Sequence, residues 1–136
     1  MKIVKKHSAG GLIIKDGKVL LIHWDPPRNS YDFPKGAIDK GETLEQACIR
    51  EVREETGYQT EIIRYIGATN YEYDWVDGTH HEKTVDYFLL KTDQNEPDEH
   101  GREAHETFQN EWVPFEQAMT LLTKDIDKEI LSKVLT

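Results

Sequence analysis

The sequence predicts a mixed α/β (α+β) fold in which a mixed β-sheet lies between helices. Stretches rich in β-branched, apolar and aromatic residues occur on both sides of one strongly helical segment, residues 43–56. A further helix is indicated from Pro114, and the C-terminal stretch 125–135 is amphipathic, with Ile126, Ile130 and Val134 recurring every four residues. Strands, helix, strands and helices in this order are typical of a sheet with helices on its faces.

Five strand segments are predicted around the central helix. Residues 3–14 form the first, which Gly10 and Gly11 are expected to interrupt, and Asp16-Gly17 predicts a hairpin into the second, residues 18–24. Residues 60–75 are a long strand or a pair of strands, followed by a turn at 76–82. Residues 83–90 and 108–113 complete the set, and the polar, acidic stretch 92–106 is predicted to be an exposed loop.

Length and composition limit the classes of protein to consider. The 136 residues predict a single domain spanning 1–136. A formal net charge of -9 argues against binding of long nucleic acids, which requires a basic surface. Cys48 is the only cysteine, so no internal disulfide can form, and no apolar run approaches the length of a membrane span. The N-terminus has no secretory signal, and a cytoplasmic protein is therefore expected.

The central helix carries an unusual set of acidic residues. Glu51, Glu54 and Glu55 stand at i, i+3 and i+4, which places them on one side of a helix. Adjacent carboxylates repel one another, and a hard divalent cation is the simplest group that relieves the repulsion. In a helical projection Glu51 and Glu55 share an arc with Leu44 and Cys48, at the border of the inward face, whereas Glu54 lies on the flank. The alternative is a solvated acidic helix with Glu–Arg ion pairs.

The spacing around this helix forms a recognisable pattern. Gly36 is followed after five residues by Glu42 and, after seven more, by the segment REVREETGY, residues 50–58. This pattern resembles the signature of the Nudix hydrolases, and only Tyr58, where an aliphatic residue is usual, departs from it. We call residues 36–58 the signature segment. The resemblance implies a Nudix-type α/β/α sandwich that accounts for nearly the whole chain.

The resemblance also implies a chemistry, the hydrolysis of a nucleoside diphosphate linked to another moiety. It implies that Glu51 and Glu55 bind Mg²⁺ or Mn²⁺ together with the Gly36 carbonyl. Glu54 is then either a further ligand or the general base, and Arg50 orients a glutamate through a salt bridge. A glutamate outside the signature segment is a second candidate for the ligand or base. Glu106 is the first choice for that role and Glu103 the second.

Residues outside the signature segment resemble one subgroup, the diadenosine tetraphosphate hydrolases. The resemblance is carried by Tyr31-Asp-Phe-Pro-Lys35-Gly, by Lys83-Thr-Val-Asp-Tyr87 and by His105-Glu106 before Trp112. It implies that Lys35 and Lys83 contact phosphates and that Tyr87 stacks on a base, although Tyr87 fits a core position equally well. We therefore expect asymmetric cleavage of diadenosine tetraphosphate to ATP and AMP by a monomer or homodimer.

Three other interpretations remain open at this point. The first is hydrolysis of ordinary or oxidised nucleoside triphosphates, as in MutT-like enzymes, or of a sugar nucleotide. The second is removal of pyrophosphate from the 5′ end of RNA, which the acidic composition disfavours. The third is a non-catalytic nucleotide-binding domain, which the intact signature segment disfavours. Residues 71, 73, 75, 80 and 81 are aromatic or histidine, and the sequence does not indicate which of them contacts a base.

Overall fold

A computed structural model describes residues 2–98 and 107–134 of the chain. The strands are β1 Ile3–Lys15, β2 Lys18–Trp24, β3 Tyr31–Asp32, β4 Lys35–Ala37, β5 Glu61–Asp74, β6 His80–Lys91 and β7 Phe108–Pro114. The helices are α1 Leu44–Thr56, α2 Phe115–Leu121 and α3 Asp125–Ser132. Within the described ranges, no helix is both long and apolar enough to cross a bilayer.

The sheet is mixed and opens into a cleft between β1 and β2. The main path runs β3-β2-β1-β6-β5, with β4 paired to β1 and β7 paired to β2. β1 runs parallel to β6 over eleven residue pairs but pairs with β2 at only two positions, next to the hairpin. Farther from the hairpin β1 pairs with β4, whereas β2 pairs with β7 and β3. The two strands therefore separate, and β4 enters beside the gap.

Helices cover both faces of the sheet, which confirms the predicted fold class. One core cluster includes Leu12 and residues of α2 and α3, and the other includes Ile13 and residues of α1. Because neighbouring strand residues point to opposite faces, Leu12 and Ile13 mark the two sides of the sheet. α1 packs against β1 and β4, α3 against β5, and α2 against β7 and β2.

The central helix begins and ends where the sequence indicates. Thr43 caps it in a capping box with Gln46, and Gly57 ends it in the left-handed conformation at φ 81°. Ala47, Cys48 and Val52 are buried, whereas Ile49 is 37% exposed. The inward face of the helix is therefore turned toward Ala47, and Ile49 lies at its exposed border.

Several strand predictions require correction. β1 is continuous through Gly10 and Gly11, which allow close packing instead of interrupting the strand: a Cβ at Gly11 would overlap the Leu90 side chain. Residues 60–75 contain one long strand with two register irregularities, not a pair of strands. The turn predicted for 76–82 is shorter, because β6 begins at His80 and extends the pairing with β5.

Candidate active site

The signature segment folds back on itself so that β4 lies against α1. Gly36, on β4, approaches the carboxylate of Glu51 so closely that a Cβ at Gly36 would overlap it. The Glu51 side chain is 16% exposed. Burial raises its pKa and the neighbouring Arg50 opposes that shift. A glycine at position 36 is therefore required for the backbone and this carboxylate to meet.

Arg50 binds the acidic groups around it. Its Nε and Nη2 donate to the two carboxylate oxygens of Glu42 at 2.7 and 2.8 Å, and Nη1 donates to Glu51 at 2.8 Å and to Glu54 at 3.2 Å. Nη2 also donates to the Ala37 carbonyl at 2.9 Å. One guanidinium thus connects the helix, the β4 strand and the loop between them. The structure accords with an orienting role for Arg50, which remains a prediction.

Glu55 lies near the C-terminal end of α1 and is largely shielded from solvent. Burial raises its pKa to about 8, with a smaller contribution of the same sign from Glu51. The Lys35 side-chain charge and a hydrogen bond from the Lys35 backbone N–H act in the opposite direction. A carboxylate in this position is strongly favoured in its charged form by a nearby cation.

The donor set fits a hard divalent cation. Carboxylate oxygens from Glu51 and Glu55 and a backbone carbonyl at Gly36 are the ligand types that Mg²⁺ and Mn²⁺ prefer. Glu54 is turned toward Arg50 in this structure. One group of three acidic or histidine side chains within residues 2–98 and 107–134 has its ligand atoms within 4.8 Å of one another. This group is Glu72, His80 and Glu82, and it does not include the carboxylates of the signature segment. The parts of Glu51, Glu54, Glu55 and the Gly36 carbonyl as metal ligands stay predictions.

A cavity of about 610 Å³ opens beside these carboxylates. Glu55 and Gly36 line it on the side of the signature segment. Five cationic side chains line it elsewhere: Lys6, Arg28, Lys35, Lys83 and Lys124. In a chain with net charge -9, this concentration of positive charge indicates a binding site for a polyanion.

Lys35 and Lys83 both face the cavity, as their predicted contact with phosphate requires. Burial lowers the pKa of each, and the proximity of the two ammonium groups contributes to the shift at Lys35. A bound phosphate would favour the charged forms of both lysines. Their role in substrate binding remains a prediction.

The prediction that Tyr87 stacks on a base is wrong for this structure. One face of β6 carries Lys83, Val85 and Tyr87, as strand alternation requires. Lys83 is only half-buried and faces the cavity, whereas Val85 and Tyr87 lie in the core. Tyr87 is 1% exposed and meets Phe33 edge-on at a centroid distance of 5.4 Å. A ring enclosed in this way presents no free face to a substrate.

Glu106, Glu103 and His105 lie outside the described residues. Three cavity residues, in contrast, were missed by the sequence interpretation: Lys6 on β1, Arg28 in the loop before β3 and Lys124 before α3. Arg28 lies over the Trp24 ring at 4.0 Å and pairs with Asp32 at 3.0 Å. No sequence signal marks these residues, because they come together only in the folded chain.

Comparison with known protein families identifies the class to which this chain belongs. The NUDIX domain family matches residues 5–134, so the chain is a member of that family. A protein named MutT4 from Mycobacterium tuberculosis is 33% identical over 126 residues, covering 86% of this chain and 49% of that protein. An ADP-ribose pyrophosphatase from Methanocaldococcus jannaschii is 39% identical over 63 residues, covering 45% of this chain and 37% of that protein. The chain thus spans half or less of the length of these relatives.

Solved structures show the same fold over almost the whole chain. A C. elegans Ap4A hydrolase in a binary complex superposes with a TM-score of 0.73 at 25% identity, covering 96% of this chain and 95% of that one. A MutT protein from Bacillus halodurans superposes with a TM-score of 0.72 at 21% identity, covering 96% and 82%. The latter similarity concerns the fold alone.

Proposed function

We propose that this protein is a metal-dependent hydrolase that cleaves a pyrophosphate bond in a nucleotide. The proposal rests on one observation: Glu55 and Gly36 of the signature segment line the same cavity as five cationic side chains. Such a cavity suits a chain of phosphates, and Glu55 at its wall suits hydrolysis of one of their bridges. Family membership supports the proposal, because the signature segment is intact.

Each residue has a proposed part in the reaction. Lys35 and Lys83 hold phosphate oxygens, and Arg50 keeps Glu51 and Glu54 in position through the hydrogen bonds described above. Mg²⁺ or Mn²⁺ would be held by Glu51, Glu55 and the Gly36 carbonyl. The ion would neutralise phosphate charge and lower the pKa of water. Glu54 or Glu106 accepts the proton of the attacking water, with Glu103 as the remaining candidate. The water oxygen forms a bond to one phosphorus, and the bond from that phosphorus to the bridge oxygen breaks, so that the bridge oxygen leaves with the other phosphate group.

For the substrate, we propose diadenosine tetraphosphate, cleaved asymmetrically to ATP and AMP. The similarity to the Ap4A hydrolase structure extends over nearly the full length of both chains. Lys83, which the sequence resemblance assigns to phosphate binding, lines the same cavity as Lys35. Together with three further cations, these two lysines give the cavity a concentration of positive charge that suits a chain of phosphates.

A MutT-like activity on nucleoside triphosphates, ordinary or oxidised, is the second candidate. It is favoured by the similarity to MutT4, which is named as a mutator protein and matches 86% of this chain. A triphosphate carries one base, whereas a dinucleoside tetraphosphate carries two. The two candidates therefore differ in whether a second base contacts the protein.

A substrate panel with heavy-oxygen water tests both candidates. Diadenosine tetraphosphate, nucleoside triphosphates including an oxidised one, ADP-ribose, sugar nucleotides and a 5′-triphosphorylated RNA are incubated with Mg²⁺ and the products identified. We expect the highest kcat/KM for diadenosine tetraphosphate, with ATP and AMP as products. The labelled product identifies the phosphorus that water attacks. A higher kcat/KM for a triphosphate would replace the first substrate proposal, and no hydrolysis in the panel would refute the enzymatic proposal.

A further inference from the structure

Aromatic side chains extend outward from the cavity along the β5–β6 hairpin. We define the aromatic strip as Tyr71, Tyr73, Trp75 and His81. Tyr71 lies directly across from Lys83, and Tyr73 lies across from His81. Because alternate residues of a strand share a face, the strip lies on the face that carries Lys83. Tyr71 lines the cavity, so the strip begins where the cationic lining ends.

The rings of the strip are arranged for flat contacts. The Tyr73 and His81 rings stack at 4.8 Å with an interplanar angle of 5°. The Tyr71 ring lies 6.2 Å from Tyr73 and is inclined to it by 27°. Trp75 meets His81 and Tyr73 edge-on and is 56% exposed. This is a surface of aromatic rings of the kind on which nucleobases stack.

Positive charge on this face of the β5–β6 hairpin decreases from the cavity outward, in the direction in which the aromatic strip extends. At the inner end, Lys83 faces the cavity and the Lys124 ammonium lies 5.3 Å from the centre of the Tyr71 ring. Farther out, Tyr73 and Trp75 carry no formal charge. A ligand that matches this order has phosphates at one end and a flat heterocycle at the other. A nucleoside at the end of a polyphosphate chain has this structure.

We infer that the aromatic strip binds the base of the second nucleoside of a dinucleoside polyphosphate whose phosphates occupy the cationic cavity. The inference rests on the proposed function and refines its substrate class. It assigns base stacking to the β5–β6 hairpin and not to Tyr87, which the core encloses.

The strip could instead stabilise the hairpin alone, since Tyr73 and His81 form a cross-strand pair. If the pair has only a structural role, its removal lowers the melting temperature and changes kcat/KM by the same factor for substrates with one base and with two. Diadenosine tetraphosphate and adenosine 5′-tetraphosphate separate these possibilities, because they carry the same number of phosphates and differ by one nucleoside. The informative quantity is the ratio of kcat/KM for the first substrate to kcat/KM for the second.

Tyr73→Leu removes the aromatic ring, and Tyr73→Phe keeps it as the matched control. We expect the ratio to fall about tenfold or more in Tyr73→Leu, mainly through KM for the dinucleotide, and to be retained in Tyr73→Phe. A ratio that is unchanged in Tyr73→Leu, whatever its melting temperature, overturns the inference. An equal fall of kcat/KM for both substrates overturns it as well.

Fluorescence provides a readout that does not depend on turnover. Diadenosine tetraphosphate, mixed by stopped flow and read before hydrolysis, should quench Trp75 more than adenosine 5′-tetraphosphate does. Trp75→Phe identifies the signal among the three tryptophans.

Quenching without hydrolysis of either compound would refute the proposed function and leave the base site standing. Hydrolysis with an unchanged ratio and no selective quench would refute the base site alone. Selective quenching by a 5′-triphosphorylated oligoribonucleotide, and not by the dinucleotide, would overturn the inference in favour of RNA.

Discussion

The backbone of Gly36 lies against the Glu51 carboxylate with no room for a side chain between them. This contact joins β4 to α1 at the point where the metal ligands are proposed. Gly36→Ala should therefore displace Glu51, while the buried residues Ala47, Cys48 and Val52 keep the helix in place. A displacement of about 1 Å can reduce turnover by on the order of a hundredfold. We expect that loss in kcat/KM and a weaker Mg²⁺ dependence, with far-UV circular dichroism unchanged.

A second glycine distinguishes this effect from general loss of flexibility. Gly17 lies in the hairpin between β1 and β2, with no atom within 4 Å of a Cβ built there. Gly17→Ala strains a left-handed turn at φ 75° and should lower stability without a comparable loss of kcat/KM. Equal activity of Gly36→Ala and the wild type would refute the proposed metal geometry.

Glu55 supports a direct test of the metal assignment. Glu55→Gln is close to isosteric but cannot supply the negative charge, so stabilisation of the transition state by the metal should weaken by several kcal/mol. We expect kcat to fall by at least about a hundredfold, with an intact fold. Isothermal titration with Mg²⁺ should show weaker binding. Glu45→Gln, on the exposed first turn of the same helix, is the matched control and should behave as the wild type. Near-normal turnover in Glu55→Gln would refute the assignment.

Lys83 and Tyr87 are four residues apart on one strand face, yet their substitution should affect different properties. Lys83→Met keeps the aliphatic part of the side chain and removes the charge from the cavity, so KM for diadenosine tetraphosphate should rise about tenfold or more. Tyr87→Ala should instead leave a core cavity beside Phe33 and destabilise the protein by about 3–5 kcal/mol. Denaturant unfolding and initial-rate kinetics on both variants test this division. A stable Tyr87→Ala variant with a selective rise in KM would restore the base-stacking role.

This pair also shows what the sequence could and could not predict. Strand alternation correctly placed Lys83, Val85 and Tyr87 on one face, because alternation is a local property of the backbone. The position along the strand at which the core begins depends on α2, α3 and Phe33, which are distant in sequence. The sequence thus indicated residues 71, 73, 75, 80 and 81 as candidates for base contact, whereas the stacking of their rings depends on the folded hairpin.

The central helix was predictable for the same reason. Thr43 and Gly57 mark its ends with residues suited to a cap and to a left-handed turn, and the glutamate spacing falls within four residues. The cavity, in contrast, collects Lys6, Arg28 and Lys124 from segments with no shared motif. Local patterns thus identified the proposed chemistry, whereas the binding surface depends on tertiary contacts.

Glu42 and Arg50 provide the final prediction, which concerns pH. Hydrogen bonds from Arg50 and from the Asp39 backbone lower the pKa of Glu42 to about 2, from an ordinary value of 4.5. A carboxyl group whose pKa is lower in the folded state stabilises the fold above its unfolded pKa. That stabilisation is complete above about pH 4.5 and is lost as the pH falls toward 2. Glu42→Gln should therefore remove one component of the acid dependence in this window.

Denaturant unfolding of the metal-free protein between pH 2 and 7 measures this component. The free energy of unfolding of the wild type should fall more steeply below pH 4.5 than that of Glu42→Gln, and the two curves should converge toward pH 2. Arg50→Met, which removes the other partner, should reduce the steepness in the same window, because the hydrogen bonds that lower the Glu42 pKa are then absent. Glu45→Gln, without such a partner among the described contacts, should follow the wild type. Parallel curves for Glu42→Gln and the wild type would show that this ion pair does not contribute to folding stability.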